Sequence, residues 1–206
     1  MAKVRRLSYT GPREELAERF HMGEKLLAEL NPHADFHRPG TRIVAANVGS
    51  KGPQANVAKI VIDKQKRSLS AFDSKGNLIV FYPASIGSAE KPAPSGTYKV
   101  NGVERNPTYH YDPKFAFKGV KARHKLTIQP GPNNPVGLVW INLSVPSYGI
   151  HGTPSPENVG KTESHGCIRL TNWDALALAS MVSRGTLVDF DGGNVQGDTA
   201  RTSKPD

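Results

Sequence analysis

Between residues 57 and 190 the apolar residues come in runs of five or six, and turn-forming sequences cut each run short before a helix could use it. KIVID (59–63), SLSAF (68–72) and LIVFY (78–82) are separated by DKQK (63–66) and DSKGN (73–77), which predicts a meander of short antiparallel strands. LVWINL (138–143) and TLVDF (186–190) add strands further on. With 20 Gly and 16 Pro spread along the chain, a helical bundle is excluded. No strand alternates with a long helix, which also excludes a parallel doubly wound sheet.

Helix signals are confined to two places. Residues 12–31 carry apolar positions at Leu16, Ala17 and Phe20, then at Leu26, Leu27 and Leu30, and the Met22-Gly23 break divides them into two short helices. A Pro/Gly-bearing turn and a strand over residues 41–48 (TRIVAANV) are expected to follow, then a linker over 49–56 (GSKGPQAN). The second place begins at Thr171. This residue caps a helix with Asp174 three positions on, Trp173, Leu176, Ala177 and Met181 give it an apolar face, and Arg184 and Gly185 end it. Residues 191–206, rich in Gly, Thr and Asp, are expected to be a flexible tail.

The net charge of +9 favours contact with polyanions. Its basic residues fall in short scattered groups, with neither the aromatic signature of an RNA-binding sheet nor zinc-finger spacing, so dedicated nucleic-acid binding is not expected. No apolar stretch is long enough for a transmembrane segment. The start, MAKVRRLSYT, is basic but lacks the apolar region of a signal peptide.

The chemistry concentrates in residues 148–170, YGIHGTPSPENVGKTESHGCIRL, which hold His151, His165 and the only cysteine, Cys167, each beside a glycine. A nucleophilic thiol needs a base within reach and backbone N–H groups aimed at the developing oxyanion. By residue type alone the same three side chains could ligate zinc, with Glu163 as a general base. Trp140 and Trp173 read as core residues, and the aromatic, Pro-rich block 106–113 (NPTYHYDP) reads as either a lid over the cysteine or a packed loop.

The order Tyr-Gly-Ile-His-Gly-Thr (148–153), Val-Gly-Lys (159–161) and Ser-His-Gly-Cys-Ile-Arg-Leu (164–170) resembles the signature of the YkuD-type L,D-transpeptidase catalytic domain. The blocks Pro94-Ser95-Gly96-Thr97-Tyr98 and Asn134-Pro135-Val136-Gly137 extend the resemblance upstream. It implies a mainly β, twisted antiparallel sandwich or barrel-like catalytic domain over residues 57–190, with one or two helices and no cofactor. It also implies Cys167 as the nucleophile, His151 as the proton donor and acceptor, the Gly152 carbonyl as the group orienting the imidazole, and His165 beside them. Ser164, Gly166, Arg169 and Tyr148 are the implied substrate-contacting residues, with Arg169 on a substrate carboxylate. The implied partners are peptidoglycan stem peptides and glycan, a wall-anchored protein as an alternative acceptor, and β-lactams of the carbapenem type as inhibitors. Water as the acceptor would make the enzyme an L,D-carboxypeptidase or endopeptidase. Such substrates lie in the periplasm or cell envelope, so an export signal is expected to have been removed.

Residues 8–48 are similar to a LysM-like wall-binding α/β module in the order Leu16-Ala17-Glu18-Arg19-Phe20, Leu26-Leu27, Leu30-Asn31-Pro32, Gly40, Ile43-Val44. Its usual opening turn is replaced by Thr10-Gly11-Pro12-Arg13, which leaves glycan binding and a purely packing role both open.

Overall fold

The computed structural model describes residues 7–48, 55–88, 91–113, 124–162, 164 and 166–190. His165, Glu163 and the tail 191–206 lie outside the described residues, as does most of the linker.

The expected strands form. β1 (Lys59–Asp63), β2 (Ser68–Phe72) and β3 (Leu78–Pro83) pair antiparallel as a meander. In β1 the period of two sends Ile60 and Ile62 into the core and turns Lys59, Val61 and Asp63 away from it. There follow β4 (Ser85–Ile86), β5 (Thr97–Arg105), β6 (Tyr109–Tyr111), β7 (Leu126–Ile128), β8 (Val139–Leu143), β9 (Gly149–His151), β10 (Ile168–Arg169) and β11 (Leu187–Asp189). β6 and β7 make a separate two-stranded ribbon; the rest form one nine-stranded sheet in the order β3-β2-β1-β11-β5-β8-β9-β10-β4. Its pairings are antiparallel except β1 with β11 and β9 with β10.

The two edge strands of this sheet, β3 and β4, are separated in the chain by Ala84 alone. One continuous segment therefore supplies both edges, and the sheet must curl until they meet, giving a nearly closed barrel with little exposed edge. Ala84 sits at the seam, fully buried, its N–H donating to the Arg67 carbonyl at 2.8 Å. The fold is thus mainly β and barrel-like, as the resemblance implied.

Among the described residues three helices accompany the sheet: α1 (Pro12–Arg19), α2 (Glu24–Leu30) and α3 (Asn172–Met181). The Thr171 hydroxyl caps α3, accepting from Asp174 N at 3.2 Å and donating to Asp174 Oδ2 at 2.7 Å. Two expectations about α3 are corrected. The helix ends at Met181 because Val182 is already extended, and Gly185, at φ 96°, serves the following turn instead. Its core-facing residues are Ala175, Leu178, Ala179 and Met181, while Trp173, Leu176 and Ala177 are only partly buried. The small Ala175 and Ala179 let the helix approach the sheet, and Trp173 is covered from the other side, where the His21 ring stacks on it at 5.3 Å. A helix buried on two sides has no single apolar stripe.

Residues 7–48 dock on the outer side of α3 and on the loop before β8. Leu7 N donates to Pro130 O at 2.8 Å, and Asn133 Nδ2 to Ser8 O at 2.9 Å. The two short helices break at Met22-Gly23 as expected, but the strand expected over residues 41–48 does not form. A strand needs a neighbouring backbone, and here a side chain takes that part: Asn31 accepts from Val44 N at 2.6 Å and donates to Val44 O at 2.8 Å. Among the described residues this unit is therefore helical with an extended tail, without the strands an α/β module requires.

Candidate active site

Two short parallel strands carry the chemistry. β9 and β10 pair with Ile150 opposite Ile168 and His151 opposite Arg169. Ile150 and Ile168 are fully buried in the core, so the alternate residues, His151 and Arg169, share the opposite face. Cys167 immediately precedes β10, and the register brings it beside Gly149, whose backbone N–H hydrogen-bonds the sulfur. Across the sheet His151 is flanked by Trp140 of β8 on one side and Arg169 on the other, with Ser85 of β4 next to Arg169.

His151 is 6% exposed, and its Nδ1 donates to the Gly152 carbonyl oxygen at 2.6 Å. A carbonyl can only accept, so the proton resides on Nδ1 and Nε2 keeps its lone pair. Trp140 stacks on the imidazole, ring centroids 5.5 Å apart and 18° from parallel. Gly149 makes room for this, since a Cβ there would meet the Trp140 ring at 2.5 Å. Burial pushes the imidazole down to about 4, against the pull of the Gly152 hydrogen bond, and Arg169 lowers it further.

Burial likewise pushes the Cys167 thiol up, while the Gly149 N–H and the charges of Lys91 and Arg169 draw it back. Both shifts favour a neutral thiol and a neutral imidazole in the resting pair. The thiol donates to Ser147 O at 3.8 Å, a carbonyl aimed by a residue at φ 67°, uncommon for anything but glycine.

The cysteine loop is anchored by Ser164. Its hydroxyl accepts from Gly87 N at 2.7 Å and donates to the Cys167 carbonyl, and its own N–H donates to Gly87 O at 3.0 Å. Ser164 is 1% exposed, and its hydroxyl and its N–H both hold the loop. Gly166 sits at φ 95°, and a Cβ there would also meet Tyr148 Cε1 at 2.8 Å. Tyr148 donates to Pro92 O at 3.3 Å, with Lys91 Nζ 5.7 Å from its ring centre. Among the described residues Arg169 Nε is buried without a hydrogen-bond partner. Burial lowers its guanidinium, and the neighbouring thiol pulls the other way.

Cys167, His151, Gly152, Gly166, Arg169 and Tyr148 thus converge around one loop and one sheet face. His165 and Glu163 fall outside the described residues, so the zinc arrangement has only His151 and Cys167 within view. Three contributors were not read from the sequence as site residues. Trp140 reads as core in the sequence, but the phase of β8, with Val139, Ile141 and Leu143 buried, assigns it to the other face. Lys91 carried no local signal. Tyr109 belongs to the block read as a lid or a packed loop; it lies in β6 near enough to Cys167 to feel its charge, and burial holds its phenol at about 12.

Comparison with known proteins agrees with this geometry. The model of the YkuD family, the L,D-transpeptidase catalytic domain, matches residues 58–190. YkuD of Bacillus licheniformis and YbiS of Escherichia coli K12 both carry L,D-transpeptidase names. The first is 29% identical over 177 residues, covering 86% of this chain and 92% of that protein. The second is 31% identical over 185 residues, covering 88% of this chain and 60% of that protein. Among solved structures, an L,D-transpeptidase from Mycobacterium smegmatis superposes with a TM-score of 0.51 at 24% identity, over 66% of this chain and 58% of that one. L,D-transpeptidase 3 of Mycobacterium tuberculosis, in complex with a faropenem-derived adduct, gives 0.51 at 20% identity, over 64% and 58%. At such identities the structural likeness speaks for the fold. The family match spans most of the chain and contains every residue of the site, and the chain belongs to the YkuD family of L,D-transpeptidase catalytic domains.

Proposed function

We propose that the chain is a peptidoglycan L,D-transpeptidase working by acyl transfer through Cys167. The observation that carries this reading is the hydrogen bond from His151 Nδ1 to Gly152 O, which leaves Nε2 as the basic nitrogen on the sheet face that Cys167 shares. In the first half-reaction Nε2 takes the thiol proton as Sγ attacks the carbonyl of the third residue of a donor tetrapeptide stem. The backbone N–H groups of Gly166 and Cys167 hold the oxyanion. The C–N bond to the terminal D-Ala breaks, His151 protonates the departing amine, and a thioester remains. In the second half-reaction an acceptor amine attacks the thioester carbonyl, its proton passes to His151, and the C–S bond breaks to restore the thiol. Arg169, with its unpaired buried Nε, binds a stem carboxylate, and Tyr148 with Lys91 lines the approach. Such a substrate places the working enzyme in the bacterial envelope.

Intact-protein mass spectrometry after incubation with a carbapenem tests the nucleophile: one adduct, absent from Cys167→Ala, is expected. Product analysis on a disaccharide-tetrapeptide tests the acceptor. Cross-linked dimer supports transpeptidation, and trimmed tripeptide alone would assign the second half-reaction to water.

A further inference from the structure

The Gly152 carbonyl that holds His151 is itself held from behind, and the support reaches out of the β domain. Gly152 packs on one side chain, Asn172, the first residue of α3. A Cβ at Gly152 would lie 2.2 Å from Asn172 Oδ1, and one at Gly137 would lie 2.0 Å from the same atom and 2.6 Å from the Gly152 carbonyl carbon. Asn172 Oδ1 also accepts from Leu138 N at 3.1 Å, and Gly152 N donates to Val139 O at 3.3 Å. The Asn172 amide therefore sets where the 137–138 and 152–153 turns meet.

An amide is nearly symmetric in shape, so its orientation is decided by its partners. Nδ2 must face acceptors. One is Pro132 O at 3.3 Å; the carboxyl of Glu18, from α1 of the N-terminal unit, faces the same amide in the small cavity that both residues line, and the amide favours its charged form. Turned over, the amide would present N–H to N–H at Leu138 and oxygen to oxygen at Pro132 and Glu18.

Glu18 is poorly suited to a purely structural task. Its Oε1 is buried without a protein partner, and it borders a cavity of about 40 Å³ shared with Tyr9, Pro132, Pro154 and Asn172. Burial pushes its carboxyl up to about 7, Glu14 adds repulsion, and only the Asn172 contact favours its charged form. An apolar side chain would serve docking better. A side chain kept at a stability cost points to a task elsewhere.

We propose that Glu18 is a positioning residue for His151, acting through Asn172, so that the N-terminal unit is a working part of the acyl-transfer site. This rests on His151 being the base, as proposed above. The contact is between an acceptor oxygen and the Asn172 amide, so glutamine at position 18 can replace it and leucine cannot.

The test measures three things on the full chain for wild type, Glu18→Gln and Glu18→Leu: the rate of carbapenem adduct formation on Cys167 at saturation, the melting temperature, and the ¹⁵N shifts of His151. Glu18→Leu is expected to slow acylation about tenfold at unchanged half-saturation, because the imidazole is held less well. It should also melt at or above the wild-type temperature and shift the His151 nitrogens toward a mixed tautomer population. Glu18→Gln is expected to stay within about twofold of wild type in rate. The proposal is overturned if Glu18→Leu acylates as fast as wild type, if its slowing accompanies a lower melting temperature with unchanged His151 shifts, or if Glu18→Gln slows as much as Glu18→Leu. A His151→Ala control at the wild-type rate would sink both readings; loss in that control with none in Glu18→Leu sinks this one alone.

Discussion

The β domain and the N-terminal unit obtain their order from different sources. Among the described residues the β domain is built on one continuous core of twenty buried residues, from Val57 to Phe190, gathered from nearly every strand of its sheet and from α3. The N-terminal unit has three, Ala17, Met22 and Leu27. Its helices start at Gly11 and Gly23 without a side-chain cap, whereas α3 is capped by Thr171. So small a unit cannot bury enough surface to stand by itself, and it is ordered by leaning on α3 and the loop at residues 130–133. The difference teaches that the barrel supplies its own stability, and on the proposed reading the chemistry too, while the appended unit borrows its order from it.

The most severe test of that division is the nucleophile. Cys167→Ala is expected to lower turnover by more than about a thousandfold with an unchanged melting temperature, since a loop-borne thiol leaves no large core cavity. Activity retained with a sharp loss of stability would make Cys167 structural. In the same assay His151→Ala should cost more than His165→Ala; the opposite order would move the base to the other histidine.

Core truncations sharpen the comparison. Ile150→Ala and Leu27→Ala each remove a fully buried aliphatic side chain, a loss of about 3 kcal/mol. In Ile150→Ala calorimetry should show the main transition falling. In Leu27→Ala that transition should hold while residues 7–48 become sensitive to protease. If both lower the main transition equally, the two regions are one cooperative block.

Burial shifts His151 in the β domain and Glu18 in the N-terminal unit in ways that give opposite slopes. His151, held near 4 against an ordinary 6.5, makes stability fall as pH drops from 6.5 toward 4, because the unfolded chain takes up the proton first. Glu18, held near 7 against 4.5, makes stability fall as pH rises from 4.5 toward 7, because the folded carboxyl keeps its proton longer. Between roughly pH 4.5 and 6.5 the slopes oppose. Denaturation across that range should show Glu18→Gln gaining stability with pH and His151→Ala losing it, each by about 2 kcal/mol; parallel slopes would refute the assignment.

The smallest effect is the cap. Thr171→Ala should cost about 1 kcal/mol by chemical denaturation. A larger loss would mean that Thr171 also supports the neighbouring Asn172.

Much of this was legible in the residues. Ile60, Ile62 and the meander announced themselves by period, Thr171 and Asp174 by capping chemistry, and Cys167 with His151 by wording and spacing. What escaped depended on partners distant in the chain. β5 is largely polar, TYKVNGVER, and is a strand because β8 and β11 flank it, with a register shift between Val100 and Gly102. The segment 41–48 has strand-like residues but meets Asn31 instead of a strand. Trp173 looked like a core residue until His21 covered it, and the roles of Asn172 and Glu18 require two units to touch. Local pattern reports period and caps; it does not report which surface will face which.

The position of β11 bears on how the protein is made. This strand, the last of the described strands in sequence order, lies in the middle of the sheet, hydrogen-bonded to β1 on one side and β5 on the other. During synthesis the meander β1–β3 and the strands leading to the cysteine can each begin to pair, but nothing joins them across that gap until residues 187–189 have emerged. Pairing the first strand with the last closes a long loop, which makes folding slow and late. A chain cut short before Leu187 leaves the barrel open along its middle, so truncated products carry the thiol without the finished sheet.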